Sequence, residues 1–243
     1  VKLGIAIPTY NESANINKLL AEIHKHLGKI PDLSTLILII DDNSPDGTAE
    51  VAKKSAKKLK SKNFKVEIMS RKVKDGLGRA YIAGFNEILK SKPDFILQMD
   101  ADLSHNPKYL REFVKAAKNS DFVVGSRYIP GGQTPDWGLY RKLQSRGGNL
   151  YTRMILGSGI TDYTGGYNMY SAKLLKKIGI NTIKSTGYGF LLELKYRASL
   201  QAKNIHQVPI VFNDRQHGKS KMPKDTIVKT LLLVPRLKSE LGN

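Results

Sequence analysis

The 243-residue chain has no cysteine, one tryptophan and few acidic side chains. Without thiols, disulfides and thiolate metal centres are excluded, and a reducing compartment fits. No run approaches eighteen apolar residues, so no transmembrane helix is expected. No signal peptide is visible at Val1, although the chain does not begin with Met. The shortage of acid is the largest imbalance: 21 Asp and Glu against 40 Lys and Arg leave a net charge of +19. Much of the excess falls between Lys53 and Lys74. A solvated lysine-rich face, an anionic membrane surface and nucleic acid are the three readings of such a cluster. Aromatics are not interleaved with these lysines as base-stacking platforms require, so nucleic acid ranks last and is not expected as a partner.

What is present is a regular alternation. Lys2 to Ile7, Leu36 to Ile40, Lys65 to Met69, Phe95 to Met99 and Phe122 to Val124 read as strands. Leu36 to Ile40 is continuously apolar, as in a strand buried on both faces. Between the strands, residues 11–27 carry apolar groups at helical spacing, Ser44-Pro45 reads as the opening of a second helix, and residues 77–89 as a third. This order predicts an α/β fold with a mostly parallel central sheet and helices on both faces. After residue 127 the pattern loosens. Tyr128 to Trp137 reads as a long loop, residues 145–156 and 187–201 as helices, and strands are expected near Tyr167 to Tyr170 and over His206 to Asn213.

In parallel sheets ligands bind beyond the carboxyl ends of the strands. Pro8-Thr9-Tyr10, Asp41-Asp42 and Asp100-Ala101-Asp102 all occupy such ends. Alternation puts Asp100 and Asp102 on one face if the chain stays extended. Adjacent carboxylates repel unless a cation lies between them, and hard oxygen ligands suit Mg²⁺ or Mn²⁺ carrying substrate phosphates. The plainer alternative is a polar turn with Asp102 capping the helix near Pro107. Asp41 points away from Asp42 and is expected to bond a loop. His105 reads as a helix-start residue and Glu193 as structural.

Five segments then stand together: Pro8-Thr9-Tyr10-Asn11-Glu12, Asp41 to Thr48, Asp100 to His105, Gly125-Ser126-Arg127-Tyr128, and Asp214 to Lys221. Their order and spacing resemble glycosyltransferase family 2. Tyr163-Thr164-Gly165-Gly166-Tyr167 and Arg215 to Lys221 narrow the resemblance to the dolichol- or polyprenol-phosphate mannose synthase branch. The resemblance implies a GT-A fold, a nucleotide-sugar donor such as GDP-mannose, a divalent metal (Mg²⁺ or Mn²⁺), a polyprenyl or dolichyl phosphate acceptor and inversion at the sugar carbon. By position it implies that Pro8, Tyr10, Glu12, Ile40 and Asp42 hold base and ribose. Asp100 and Asp102 would surround the metal, with Ala101 lending backbone. Arg127, Arg215 and Lys221 would meet phosphates, and Asp102, Arg127 and Arg215 would carry the catalytic roles. Members of this branch often have Gln two places after the second Asp; Ser104 stands there, which puts a third metal ligand in doubt.

Residues 1–223 are expected to be the catalytic domain and 224–243 an amphipathic helix. That helix carries Ile227, Val228, Leu231 to Val234 and Leu237 among lysines and arginines. It either packs on the domain or lies in a membrane interface. A peripheral protein on the cytoplasmic face of an anionic membrane is expected, with a membrane partner subunit as another source of anchoring. Competing readings are a family 2 enzyme using UDP-glucose, another nucleotide sugar or a saccharide acceptor, and a non-enzymatic basic surface-binding module.

Overall fold

The computed structural model describes residues 1–59, 61–157, 159–214 and 226–242. In chain order the elements are β1 (Lys2–Thr9), α1 (Ser13–Leu27), β2 (Ser34–Asp41), α2 (Thr48–Leu59), β3 (Phe64–Ser70), α3 (Leu77–Lys90) and β4 (Phe95–Gln98). They continue through α4 (Leu110–Ala117), β5 (Phe122–Ser126), α5 (Leu139–Leu156), β6 (Asn168–Ser171), α6 (Ala172–Lys177), α7 (Gly187–Gln201), β7 (Ile205–Pro209) and α8 (Thr226–Leu241). Among the described residues the strands form one seven-stranded sheet in the order β3-β2-β1-β4-β6-β5-β7. β6 runs antiparallel to both its neighbours, and every other pairing is parallel. The carboxyl ends of β1, β2, β4 and β5 therefore open on one edge.

Alternation along the strands divides the apolar residues between two cores. Ile37 and Ile39 of β2 join Ile16, Leu20 and Ile23 of α1 on one face. Leu38 and Ile40 face the other way, onto Tyr81 and Phe85 of α3 and, further along, Phe190 and Leu194 of α7. α3 lies close on β2: a Cβ at Gly84 would collide with Ile40 Cδ1. Ile40 is fully buried in that contact. Its side chain therefore belongs to the core, and only its backbone faces the strand end beside Asp41 and Asp42.

Several boundaries differ from the sequence reading. The second helix begins at Thr48, and Asp46 takes the first-turn hydrogen bonds, its Oδ1 accepting from the Thr48 N–H at 3.1 Å and from Thr48 Oγ1 at 2.5 Å. Ser44 is turned back onto Asp41 instead. α5 starts six residues before Ser145, at Leu139. The strand expected over His206 to Asn213 ends at Pro209, with an isolated bridge from Val211 to Gln133 beyond it. α8 packs on α5 and α7 through Val234 and Leu237, both buried, while Leu231 and Leu232 remain exposed.

Candidate active site

Three loops at the sheet edge carry a non-glycine residue in left-handed backbone: Asn11 (φ 59°) after β1, Asn43 (φ 57°) after β2 and Leu103 (φ 65°) after β4. Asn tolerates this region through its short polar side chain, and Leu does not favour it. Such backbone persists where surrounding bonds over-determine it. Those bonds are present. The loop after β1 is laced to the loop after β2 by N–H donors on Asn11, Glu12 and Ser13 to Ser44 Oγ (3.1 Å), Thr48 Oγ1 (2.9 Å) and Asp46 Oδ2 (3.0 Å). Asp41 does bond structurally, accepting from Thr9 Oγ1 at 3.0 Å and from the Ser44 N–H and hydroxyl at 3.0 and 2.6 Å.

Asp42, on the opposite side, is buried and accepts from Arg71 at 2.7 Å. Burial raises its carboxyl above the ordinary value, and Arg71 opposes that rise. Arg71 also bonds Asp75. Nearby, the Lys74 ammonium lies 3.6 Å over the ring of the half-buried Tyr10. Pro8 is half-buried at the end of β1, and the half-buried Glu12 accepts from Asn15 Nδ2 at 2.8 Å. Tyr10, Asp42 and Glu12 thus gather on adjoining loops, as expected from their order in the chain.

At β4 the strand geometry stops at Gln98, before the two carboxylates. They do not share an environment. The Asp100 side chain keeps 36% of its surface exposed, whereas Asp102 is buried. Asp102 Oδ1 accepts from the Ser104 N–H at 3.1 Å and its hydroxyl at 2.6 Å. Asp102 caps no helix: the short 3-10 turn Pro107–Tyr109 is capped by Asn106. Ser104 accordingly acts as a donor to Asp102.

His105 is the residue that the sequence reading undervalued. It is buried, and its Nδ1 accepts the Asp100 N–H at 2.8 Å. An accepting Nδ1 carries no proton, so the neutral ring holds its proton on Nε2, 3.8 Å from Asp100 Oδ2. Burial pushes the imidazole below its ordinary value, which keeps it neutral. The ring stacks on Tyr167 at 4.9 Å, and Tyr167 stacks on Phe113 at 4.7 Å. From α3, Tyr81 donates to Asp100 Oδ1 at 3.3 Å. Asp100 is thus held by its backbone and its carboxylate from two elements.

Among the described residues, no group of three His, Cys, Asp or Glu side chains could hold a metal ion. This does not disqualify a magnesium-type site. Mg²⁺ is commonly bound through one or two carboxylates, with water and substrate phosphates completing the shell. A half-exposed Asp100 carboxylate at a sheet edge, with the buried Asp102 two residues on, fits that one-or-two-carboxylate donor set.

Arg127 follows β5 on the same edge but turns inward. Its Nε and Nη2 meet the two oxygens of Asp162 at 2.7 and 2.8 Å, and Nη2 also reaches Thr164 Oγ1 at 2.8 Å. Both members of the pair are buried. Where the sequence reading sets Arg127 against phosphate, the structure closes its Nε and Nη2 on the Asp162 carboxylate, a fork satisfied by a buried anion. Lys195 of α7 is fully buried alongside and donates to the Asp162 carbonyl at 2.5 Å. Burial pulls the Lys195 ammonium down to about 7, against the opposing pull of Asp162. Burial would raise the Asp162 carboxyl, yet Arg127 outweighs it and holds the group well below the usual carboxylate range.

Glu193 is structural. It accepts from the Ser185 N–H and hydroxyl at 3.0 and 2.6 Å and pairs with Arg197 at 2.7 Å. Arg215 and Lys221 lie outside the described residues.

The glycosyl transferase family 2 description matches residues 4–179. The chain belongs to glycosyl transferase family 2. A similar relative is the undecaprenyl-phosphate mannosyltransferase of Micrococcus luteus, 39% identical over 230 residues, covering 95% of this chain and 91% of that one. Another is the polyprenol monophosphomannose synthase of Mycolicibacterium smegmatis, 37% identical and covering 95% and 84%. The GT-A architecture recurs in solved structures. Glucosyl-3-phosphoglycerate synthase of Mycobacterium tuberculosis, in complex with Mn²⁺, UDP and glucosyl-3-phosphoglycerate, superposes with a TM-score of 0.65 at 20% identity, covering 99% of this chain and 80% of that one. Mannosyl-3-phosphoglycerate synthase of Rubrobacter xylanophilus gives 0.62 at 19%, covering 98% and 73%. At that identity these two speak for the fold alone. Within this glycosyltransferase, sequence order foretold that Tyr10, Asp42 and Asp100 follow neighbouring parallel strands at one sheet edge. It missed Arg71, Tyr81, Asp162 and Lys195, whose partners lie between 19 and 35 residues away in the chain.

Proposed function

We propose that this glycosyltransferase moves mannose from GDP-mannose to the phosphate of a polyprenyl or dolichyl lipid, with inversion. The observation that carries this reading is the 39% identity, across 95% of the chain, to a protein named for transfer of mannose to undecaprenyl phosphate. In this reading Pro8, Tyr10, Glu12 and Asp42 hold base and ribose. Asp100 and Asp102 hold Mg²⁺ or Mn²⁺ on the donor diphosphate, and the Ala101 backbone lines the same turn. A bound divalent ion supplies charge that stabilises the departing diphosphate. Arg215 and Lys221 meet phosphates of donor or acceptor. The acceptor phosphate is already an anionic nucleophile, so the transfer needs no strong general base; a neutral, buried His105 and a fully bonded Glu193 are consistent with that.

The acceptor's lipid tail calls for a surface that meets a bilayer. No helix among the described residues is long and apolar enough to cross a membrane. Exposed apolar side chains nevertheless line one stripe of α5: Leu139, Leu143, Leu150 and Met154, with Tyr140 beside them. Leu231 and Leu232 of α8 are also exposed, and α8 packs on α5. Arg141, Arg146, Arg153 and Lys229 carry positive charge on these helices. We read the pair as a peripheral interface to an anionic membrane, with α5 as the main contact and α8 as its support.

Transfer from labelled GDP-mannose, UDP-glucose and UDP-N-acetylglucosamine to a polyprenyl phosphate tests the donor. Product from GDP-mannose is expected, and product from UDP-glucose alone would replace that donor. Asp102→Ala is expected to cut transfer by two to three orders of magnitude while the fold persists, on the scale of about 2.7–4 kcal/mol for losing a transition-state electrostatic group. Undiminished transfer in EDTA would remove the metal. Cosedimentation with anionic vesicles tests the surface: Leu143→Ser with Leu150→Ser should release the protein, and unchanged binding would move the interface elsewhere.

A further inference from the structure

The Gly165-Gly166 turn belongs to a strap, residues 161–166, that crosses the sheet edge and is fastened from several sides. Thr161 bonds Ser126 Oγ at 2.6 Å after β5, and both its N–H and hydroxyl reach Gln207 of β7. The Tyr163 N–H donates to Asn149 of α5 at 2.7 Å. Lys195 holds the Asp162 carbonyl from α7. At the centre, the Asp162 carboxylate accepts four hydrogen bonds: from Arg127 N, Nε and Nη2, and from the Gly165 N–H at 2.9 Å.

The far end of the strap meets the metal-side carboxylate. A Cβ at Gly166 would lie 3.3 Å from His105 Cε1 and 3.7 Å from Asp100 Oδ1. At Gly165 it would lie 3.2 Å from Asp162 Oδ2. Both glycines are therefore places where backbone must come close to a functional side chain. Sealing an ion pair in the interior is a poor route to stability, since apolar residues of like volume often serve as well. A buried, four-fold bonded carboxylate does supply fixed direction. Groups that orient metal-side ligands govern metal affinity as the ligands themselves do.

We propose that Asp162 is a positioning residue for the catalytic edge: it locks the Arg127 fork to the Gly165-Gly166 turn, and the turn seats His105 and Asp100. The inference rests on the metal-assisted reading given above. Asp162 touches neither donor nor acceptor in this role.

The test is Mn²⁺ uptake by the full chain in the presence of GDP, followed by loss of the free-Mn²⁺ electron paramagnetic resonance signal, with folding checked by circular dichroism. Asp162→Asn is expected to weaken apparent Mn²⁺ affinity about tenfold or more, within the range for lost ligand-orienting partners. Gly166→Ala leaves the Asp162 clamp intact and crowds His105, whose Nδ1 holds the Asp100 N–H, while Asp100 Oδ1 and Leu191 stay at ordinary contact distance; it should weaken Mn²⁺ uptake in the same direction with the fold retained. Wild-type Mn²⁺ affinity in folded Asp162→Asn overturns the proposal. If Asp162→Asn does not fold, Gly166→Ala decides, and wild-type affinity there overturns it. A wild-type protein that takes up no Mn²⁺ with GDP and transfers sugar in EDTA overturns the metal reading itself, a result distinct from loss confined to the variants.

Discussion

Arg127–Asp162 and Arg141–Asp214 are the same contact in two surroundings. Each closes at 2.7 Å between a guanidinium and a carboxylate. The first pair keeps 5% and 0% of its side-chain surface exposed, inside the strap; the second keeps 49% and 46%, on the rim. Arg71–Asp42 stands between them, again at 2.7 Å, with 13% and 8%. Distance alone would rank the three as equals. Water decides otherwise. On the rim, solvent screens the attraction and holds either charge almost as well when the partner is gone. Inside, neither charge has another solvent, so each depends on the other. A buried pair is thus costly to break without being especially stabilising to possess.

The comparison breaks most sharply at Asp162. Asp162→Asn keeps the shape but leaves the Arg127 charge without its counter-ion. Breaking a buried pair from one side costs about 3 to 5 kcal/mol. A denaturant midpoint close to wild type would show that the inner clamp is no more demanding than the rim.

Lys195 sharpens the same contrast through pH. Arg127 already neutralises Asp162, so Lys195 is a third buried charge that shares this carboxylate with a closer-bound cation. The unfolded chain keeps that proton up to a pH of about 10, whereas the folded chain releases it near the value of about 7. Between those values the unfolded state binds more protons, so stability rises with pH. Over pH 7 to 9 this contributes about 2 kcal/mol. Lys195→Met should remove that rise and stay as stable as wild type, or more so, at pH 6. Parallel stability profiles for the two proteins from pH 6 to 9 would contradict the assignment.

Asp42 lies at the intermediate level. Its pair is shielded and lies at the proposed donor pocket, so the expected loss is divided between folding and binding. Asp42→Asn should cost about 1 kcal/mol of stability, the net value of an ordinary hydrogen bond. GDP affinity should fall about tenfold, equivalent to about 1.4 kcal/mol. Calorimetric titration with GDP checks this, and unaltered affinity would take Asp42 out of the base pocket.

These three pairs also mark how far the sequence carries. The strand alternation is written in the apolar residues, and it alone sends Asp41 and Asp42 to opposite sides, as the structure has them. The same rule does not carry to Asp100 and Asp102, because β4 ends at Gln98 and the turn beyond it holds a left-handed Leu103. Asp162 could not be matched with Arg127, since nothing local ties residues 35 apart. Lys195 reads as a solvated helical lysine, and only the packing of α7 shows that it is buried. The start of α5 at Leu139 is not legible in the sequence, because its first turns expose Leu139, Tyr140 and Leu143, and an apolar face turned to solvent gives no periodic sign of a core.

The smallest effect belongs to the rim. Arg141 pairs with Asp214 and also lies 4.0 Å over the Trp137 ring. Removing the carboxylate leaves the guanidinium in water with its aromatic contact intact, so little is lost. Asp214→Asn should change stability by less than about 1 kcal/mol. The change should shrink further in 1 M salt, where the screening length falls to about 3 Å. Thermal midpoints of wild type and Asp214→Asn at low and high salt measure both statements. A loss as large as that of Asp162→Asn, or one that persists in high salt, would mean that exposure does not grade these pairs and that contact distance does.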